Sequence, residues 1–268
     1  MPPPLYDAHN HLAHPDLAAH RDAIRQAVTE IGVRKSVVNG TAPADWPDII
    51  ESAATDPSVV PAIGLHPWNV NDAPDNWRAS FKNALEEGVR VIGEIGLDQW
   101  IEGHDIERQQ TAFRWQLDQA TTRNLPVSIH CLRAIGPMMD TLREVECPQR
   151  GLHFHAYNGS VELLDELLQM GTYFSFNAGQ LKMHAKTVRE VIRAVPKDRL
   201  LLETDAPDML PPPELRPFEL PDSADGRPLN HPANLRRAYE AVAELRGCPL
   251  ETLAEQVATN FNRYFLAR

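Results

Sequence analysis

Seven side chains of the kind that bind metal ions recur along this chain: Asp7, His9, His11, Glu94, His130, His155 and Asp205. They lie at or just past the ends of five separate strand-like runs, the first three sharing one. Asp7-Ala8-His9-Asn10-His11 sets three polar side chains two residues apart, on one face of an extended chain. Two imidazoles so placed can grip one cation, with Asp7 expected to accept a hydrogen bond from His9 or His11 rather than bind metal itself. Glu94, between Gly93 and Ile95, is a carboxylate where burial is costly unless it is paired or binds metal, and its two oxygens can bridge two cations. His130 and His155 end matching apolar runs and form a ligand pair. Asp205 closes Leu200-Leu201-Leu202-Glu203-Thr204, where it can complete the first coordination shell and accept a proton from an attacking water. His153 and Glu203 share the parity of their neighbouring ligands and are expected deeper, as packed or hydrogen-bonded groups.

Residues nearly 200 positions apart share a pocket only if the fold gathers strand ends. Short β-branched or apolar runs at 5–9, 35–39, 59–64, 89–95, 126–130, 151–155, 172–177 and 199–204 read as eight strands. Helix-like segments lie between them near 18–31, 45–55, 75–87, 105–123, 135–146, 160–170, 182–195 and 232–246, with another near 249–258. Such alternation predicts an α/β fold, a (β/α)8 TIM barrel formed as a single domain over 1–268, whose strand C-termini converge on one face. One connection breaks the rhythm. Residues 207–232 hold eight prolines and no convincing element, and following the eighth strand they are expected to form a rim or lid over the pocket.

Composition is that of an ordinary globular chain, 43% hydrophobic and 24% charged, with no apolar run long enough for a membrane span. The N-terminal residues have neither the basic start nor the apolar stretch of a signal peptide. Three widely spaced cysteines, Cys131, Cys147 and Cys248, argue against a disulfide framework and suit a reducing cytoplasm. Cys131 follows His130 on a strand, so it is expected to point the other way and to be structural. A net charge of −11 opposes stable binding of duplex nucleic acid, while leaving a strand end or a small phosphate ester as substrate.

The motifs together resemble the TatD-like metal-dependent hydrolases, of the amidohydrolase-type barrels. The matching segments are Asp7-x-His9-x-His11, Gly64-x-His66-Pro67, Gly93-Glu94-Ile95-Gly96-Leu97-Asp98, Glu107-Arg108-Gln109 and Leu125-Pro126-Val127-x-Ile129-His130. They continue through His155-Ala156-Tyr157-Asn158-Gly159-Ser160, Glu203-Thr204-Asp205-Ala206-Pro207, Pro232-Ala233-Asn234-Leu235 and Asn260-Phe261. The resemblance implies a site for two divalent ions (Mg, Mn or Zn): His9, His11, Glu94 and Asp205 around one, and Glu94, His130 and His155 around the other. It also implies phosphodiester hydrolysis, a deoxyribonuclease trimming DNA ends with an activated water, with Asp205 and Glu94 as catalytic residues. The family's usual Tyr after Gly-Leu-Asp is replaced by Gln99-Trp100, its His-x-Arg by His130-Cys131-Leu132-Arg133, and its Asn-Glu-Pro by Asn230-His231-Pro232. These changes fall around the expected substrate rim. There His66 is expected to contact substrate, Trp68, Trp100 and Tyr157 to stack on it, and Arg133 and Lys182 to meet phosphate. The competing readings are a metal-dependent hydrolase of a small amide, lactone or ester, and a non-catalytic metal-binding scaffold.

Overall fold

Runs rich in Val and Ile become strands because branched side chains suit a pleated, buried surface. In the computed structural model of the chain, residues 2–181 and 185–267 are described. Eight strands form one sheet in sequence order: β1 (Leu5–Asn10), β2 (Val33–Asn39), β3 (Val59–Ile63), β4 (Val91–Asp98), β5 (Val127–Leu132), β6 (His153–Phe154), β7 (Tyr173–Phe176) and β8 (Leu200–Leu202). The registered neighbours run parallel. Helices alternate with them: α1 (Arg21–Ile31), α2 (Trp46–Thr55), α3 (Trp77–Glu86), α4 (Ile106–Arg123), α5 (Ile135–Glu144), α6 (Leu164–Gln169), α7 (Lys186–Ala194), α8 (Leu235–Arg246) and α9 (Leu250–Phe261). Past β8 the chain bonds back to the end of β1, Asp205 N–H to His9 O at 2.9 Å and His11 N–H to Ala206 O at 2.7 Å. A sheet in sequential order that returns to its first strand is a (β/α)8 barrel.

Every expected strand is present. β4 runs three residues beyond its expected end, and the first helix is divided into a 3-10 turn (Pro15–His20) and α1. Part of the expected 182–195 helix, including Lys182, lies outside the described residues; α7 accounts for the rest. No helix among the described residues is long and apolar enough to cross a membrane.

The described residues group into two compact units. The first holds β1, β8, α1 and α7 to α9. Here Asp7, fully enclosed, ties β1 to the end of β8: Oδ1 accepts from the Thr204 N–H at 3.0 Å and Oδ2 from its hydroxyl at 2.7 Å. The proline-rich segment belongs to this unit and is well anchored. Arg227 pairs with Asp208 and, at 3.0 Å, with Asp16. Asn230 donates to Thr204 O at 3.0 Å, and Phe218 and Asn234 exchange two hydrogen bonds. Leu229 is buried against Leu17 and Ile24, with Leu220 packed beside them. These contacts fasten the segment in place.

The second unit holds β3 to β6 and α2 to α5. Its ordering device is α4, which turns two buried glutamines, Gln109 and Gln116, toward strand-end backbone. Gln109 bonds both the N–H and C=O of Asp98, at 2.8 and 2.9 Å, and Gln116 does the same for Leu65, at 2.7 and 3.2 Å. Asp98 ends β4, and Leu65 adjoins His66 just past β3. Two glycines permit the close approach: a Cβ on Gly64 would stand 2.5 Å from Glu94 O, and one on Gly96 1.9 Å from His130 O.

Candidate active site

In the first unit, β1 and the end of β8 bring His9, His11 and Asp205 together. The two imidazole Nε2 atoms are 3.3 Å apart, and Asp205 Oδ1 lies 3.6 Å from each. Donors at about 2.1 Å from a tetrahedral ion are separated by roughly 3.4 Å, so this triangle fits a divalent cation. His9 is fully buried and His11 half-open, giving a ligand set with one exposed side.

Asp7 accepts from His9, as expected, but from its backbone N–H and not its ring. Its four acceptor bonds go to the His9 N–H, the Asn10 amide and the two Thr204 donors, and none goes to an imidazole. Burial pushes its pKa up to about 7, against the pull of those hydrogen bonds. It braces the backbone that presents His9, His11 and Asp205. Asp205 itself adopts a left-handed backbone, φ +55°, as do Ala156 (+40°) after β6 and Arg133 (+54°) after β5. Such conformations in residues other than glycine concentrate at functional sites.

In the second unit, Glu94 is the centre. Its Oε1 lies 2.7 Å from His130 Nδ1, 2.8 Å from His155 Nε2 and 3.3 Å from His66 Nε2, while the His130 and His155 nitrogens stand 3.3 Å apart. One carboxylate oxygen ringed by imidazole nitrogens is again a donor set for a divalent ion. His66, the residue expected to contact substrate, meets Glu94. Its Nδ1 accepts the Trp68 N–H at 3.2 Å, which puts the neutral ring's proton on Nε2, toward Glu94. His66 is thus a hydrogen-bond donor to Glu94 more readily than a metal ligand.

Asp98 is the residue that sequence reading passed over. Its Oδ2 accepts from His130 Nε2 and from Trp68 Nε1, both at 2.8 Å, and its Oδ1 accepts the N–H groups of Trp100 (2.6 Å) and Ile101 (3.0 Å). Burial opposes its charge, yet hydrogen bonds from His130 and Ile101 outweigh that and hold its pKa at about 2. The permanent carboxylate fixes a proton on His130 Nε2 and leaves Nδ1 as the donor atom facing Glu94. Burial also opposes a charged His130, but Asp98 and Glu94 together raise its pKa.

Other expected residues divide. Trp68 and Trp100 stand exposed at the rim, whereas Tyr157 is 2% exposed, packs edge-on against Phe174 and donates to Ser160 O at 3.0 Å. Tyr157 has no face to offer a base, and that expectation is corrected. Arg133 is exposed, with no ion-pair partner among the described residues. Glu203 is fully buried and accepts from Ala156 N–H (2.9 Å), Asn177 (3.1 Å) and the Ser175 hydroxyl. His153 is also fully buried, and burial drives its pKa well down. Burial pushes the Cys131 thiol up to about 12, so it is no thiolate near neutral pH.

The model of the TatD-related DNase family matches residues 6–266. This chain belongs to that family. It is 30% identical over 257 residues to the Escherichia coli K12 metal-dependent hydrolase YjjV, covering 95% of both chains. It is also 30% identical over 264 residues to the 3'-5' ssDNA/RNA exonuclease TatD of Erwinia tasmaniensis, covering 97% of this chain and 99% of that one. The crystal structure of E. coli YjjV, a TatD homolog, superposes with a TM-score of 0.88 at 28% identity over 98% of both chains. The protein is therefore a TatD-family metal-dependent hydrolase with the barrel fold of that family.

Proposed function

We propose that this TatD-family hydrolase is a two-metal phosphodiesterase that trims the ends of single DNA strands. The observation that carries the reading is the pair of donor groups, His9–His11–Asp205 and Glu94–His130–His155, each spaced for a divalent ion. Whole-length similarity to a relative named as a single-strand exonuclease supports the substrate class. When bound, a pair of divalent cations such as Mg, Mn or Zn lowers the pKa of the attacking water and neutralises charge on the phosphate. The protein's own groups supply the rest. Glu94 would be a metal ligand, Asp205 would orient the water and take its proton, and Arg133 would offer an exposed guanidinium to a phosphate oxygen.

A second reading, hydrolysis of a small ester or amide, is favoured by the net charge of −11, which works against a long polyanion. One experiment separates the two. Metal-stripped protein is reloaded with Mg, Mn or Zn and given 3′-labelled single-stranded DNA beside a panel of small esters, with Glu94→Ala as control. Shortening of the strand that depends on both metal and Glu94 supports the nuclease. Inert DNA with a turned-over ester moves the function to small molecules.

A further inference from the structure

Trp68 and Trp100 are exposed by 44% and 53%, the only large aromatic side chains so exposed among the described residues. Their ring centroids lie 6.1 Å apart with planes inclined by 33°. Neither is a loose surface residue. Trp68 is held through Nε1 by Asp98 and through its N–H by His66 Nδ1, and its ring meets the His66 ring edge-on at 5.1 Å. Trp100 takes its place because Asp98 Oδ1 captures its N–H at 2.6 Å. Asp98 also fixes His130, whose ring centroid is 6.4 Å from that of Trp68. One carboxylate thus registers two exposed aromatic faces against a candidate metal ligand.

We propose, resting on the nucleic-acid reading above, that Trp68 and Trp100 form a shelf on which the unpaired base at the strand end stacks. Insertion between the rings would need about 7 Å, twice the contact distance of two carbon surfaces, so the pair is a shelf and not a clamp. Holding two tryptophans with their faces in water is unfavourable in the free protein, and a flat ring laid over them relieves it. Because the Trp68 ring is already held through Nε1 and Trp100 is anchored through its backbone N–H, little freedom of Trp68 is lost on binding. Stacking needs no positive charge, which suits a protein of net charge −11. It is tolerant of sequence and requires the base to be unpaired. The shelf therefore selects single strands over duplex, favours large purine rings at the end, and discriminates little otherwise.

The test compares single strands ending in adenine, thymine or an abasic sugar, with the Mn-loaded protein and its Trp100→Ala and Trp100→Phe variants. Among the described residues the Trp100 side chain makes no hydrogen bond, so its removal should spare the folded chain. Loss of the terminal base should lower kcat/KM of the parent by roughly 5- to 150-fold, the size of one base–aromatic stack. Trp100→Ala should lose most of that discrimination, and Trp100→Phe should recover part of it. Quenching of tryptophan fluorescence by the same strands, on chelator-treated protein, should follow adenine, then thymine, then abasic. Equal cleavage of abasic and base-ended strands by the parent, or full discrimination retained in Trp100→Ala, would overturn the shelf and leave the nuclease standing. Where no strand is cleaved at all, the nuclease reading falls, and a base-independent fluorescence response removes the shelf with it.

Discussion

Asp98 holds His130 from behind: its Oδ2 lies 2.8 Å from Nε2, on the opposite side of the ring from the nitrogen that faces Glu94. A carboxylate in that place fixes the tautomer and raises the basicity of the facing nitrogen. Asp98→Asn should therefore weaken divalent-ion binding by about 10- to 100-fold at one of two sites while the other keeps its affinity. Calorimetric titration of the stripped protein with Mn or Zn reads this directly. Two sites equally weakened, or neither, would refute the linkage.

Loading with metal should stabilise the fold. An ion bound at 100 times its dissociation constant adds about 2.7 kcal/mol, several degrees in Tm for a chain of this size. The increment should vanish on chelation and be reduced, not abolished, in His9→Ala or His155→Ala, since each removes a donor from one group only. Differential scanning calorimetry with and without chelator is the measurement.

His231 gives the proline-rich segment a pH dependence. Burial, aided by the nearby His20, lowers its pKa from 6.5 to about 4, and the ring lies against Phe218. The folded chain thus binds this proton less readily than the unfolded one. Its contribution is fully present above about 6.5 and is lost as pH falls toward 4. Urea midpoints should decline across that window, and His231→Asn should flatten the decline. An unchanged slope in the variant would assign the effect elsewhere.

Cys131, beside His130, invites reading as a nucleophile. With its thiol at about 12, fewer than roughly one molecule in a thousand carries a thiolate at pH 8. Alkylation by iodoacetamide at that residue should be far slower than for a free thiol, and Cys131→Ser should retain hydrolysis. Rapid labelling followed by loss of activity would contradict this.

The strands were legible because β-branched runs such as Val91-Ile92 and Val127-Ser128-Ile129 have few alternatives in a buried sheet. The clustering of these carboxylates and imidazoles was legible because burying a lone one at a strand end demands a partner. Asp98 was passed over although the signal existed: residues 94 and 98 share parity on β4, so both carboxylates face the same side once the strand is known to extend that far. The fate of Tyr157 was not legible, since the left-handed turn at Ala156 redirects the chain just before it and no residue pattern announces that turn. For His66, only its neighbours in the fold show that Nδ1 is occupied and that Nε2 turns to Glu94.

The left-handed backbone at Asp205 carries a cost of its own. Position 205 is one that glycine would occupy without strain, and the aspartate stays there at an expense on the order of 1 kcal/mol. Replacing it with glycine should leave an inert protein that outlasts its parent on heating. A thermal-survival screen that never asks for turnover would drift toward such chains, and would erase the site while improving the scaffold.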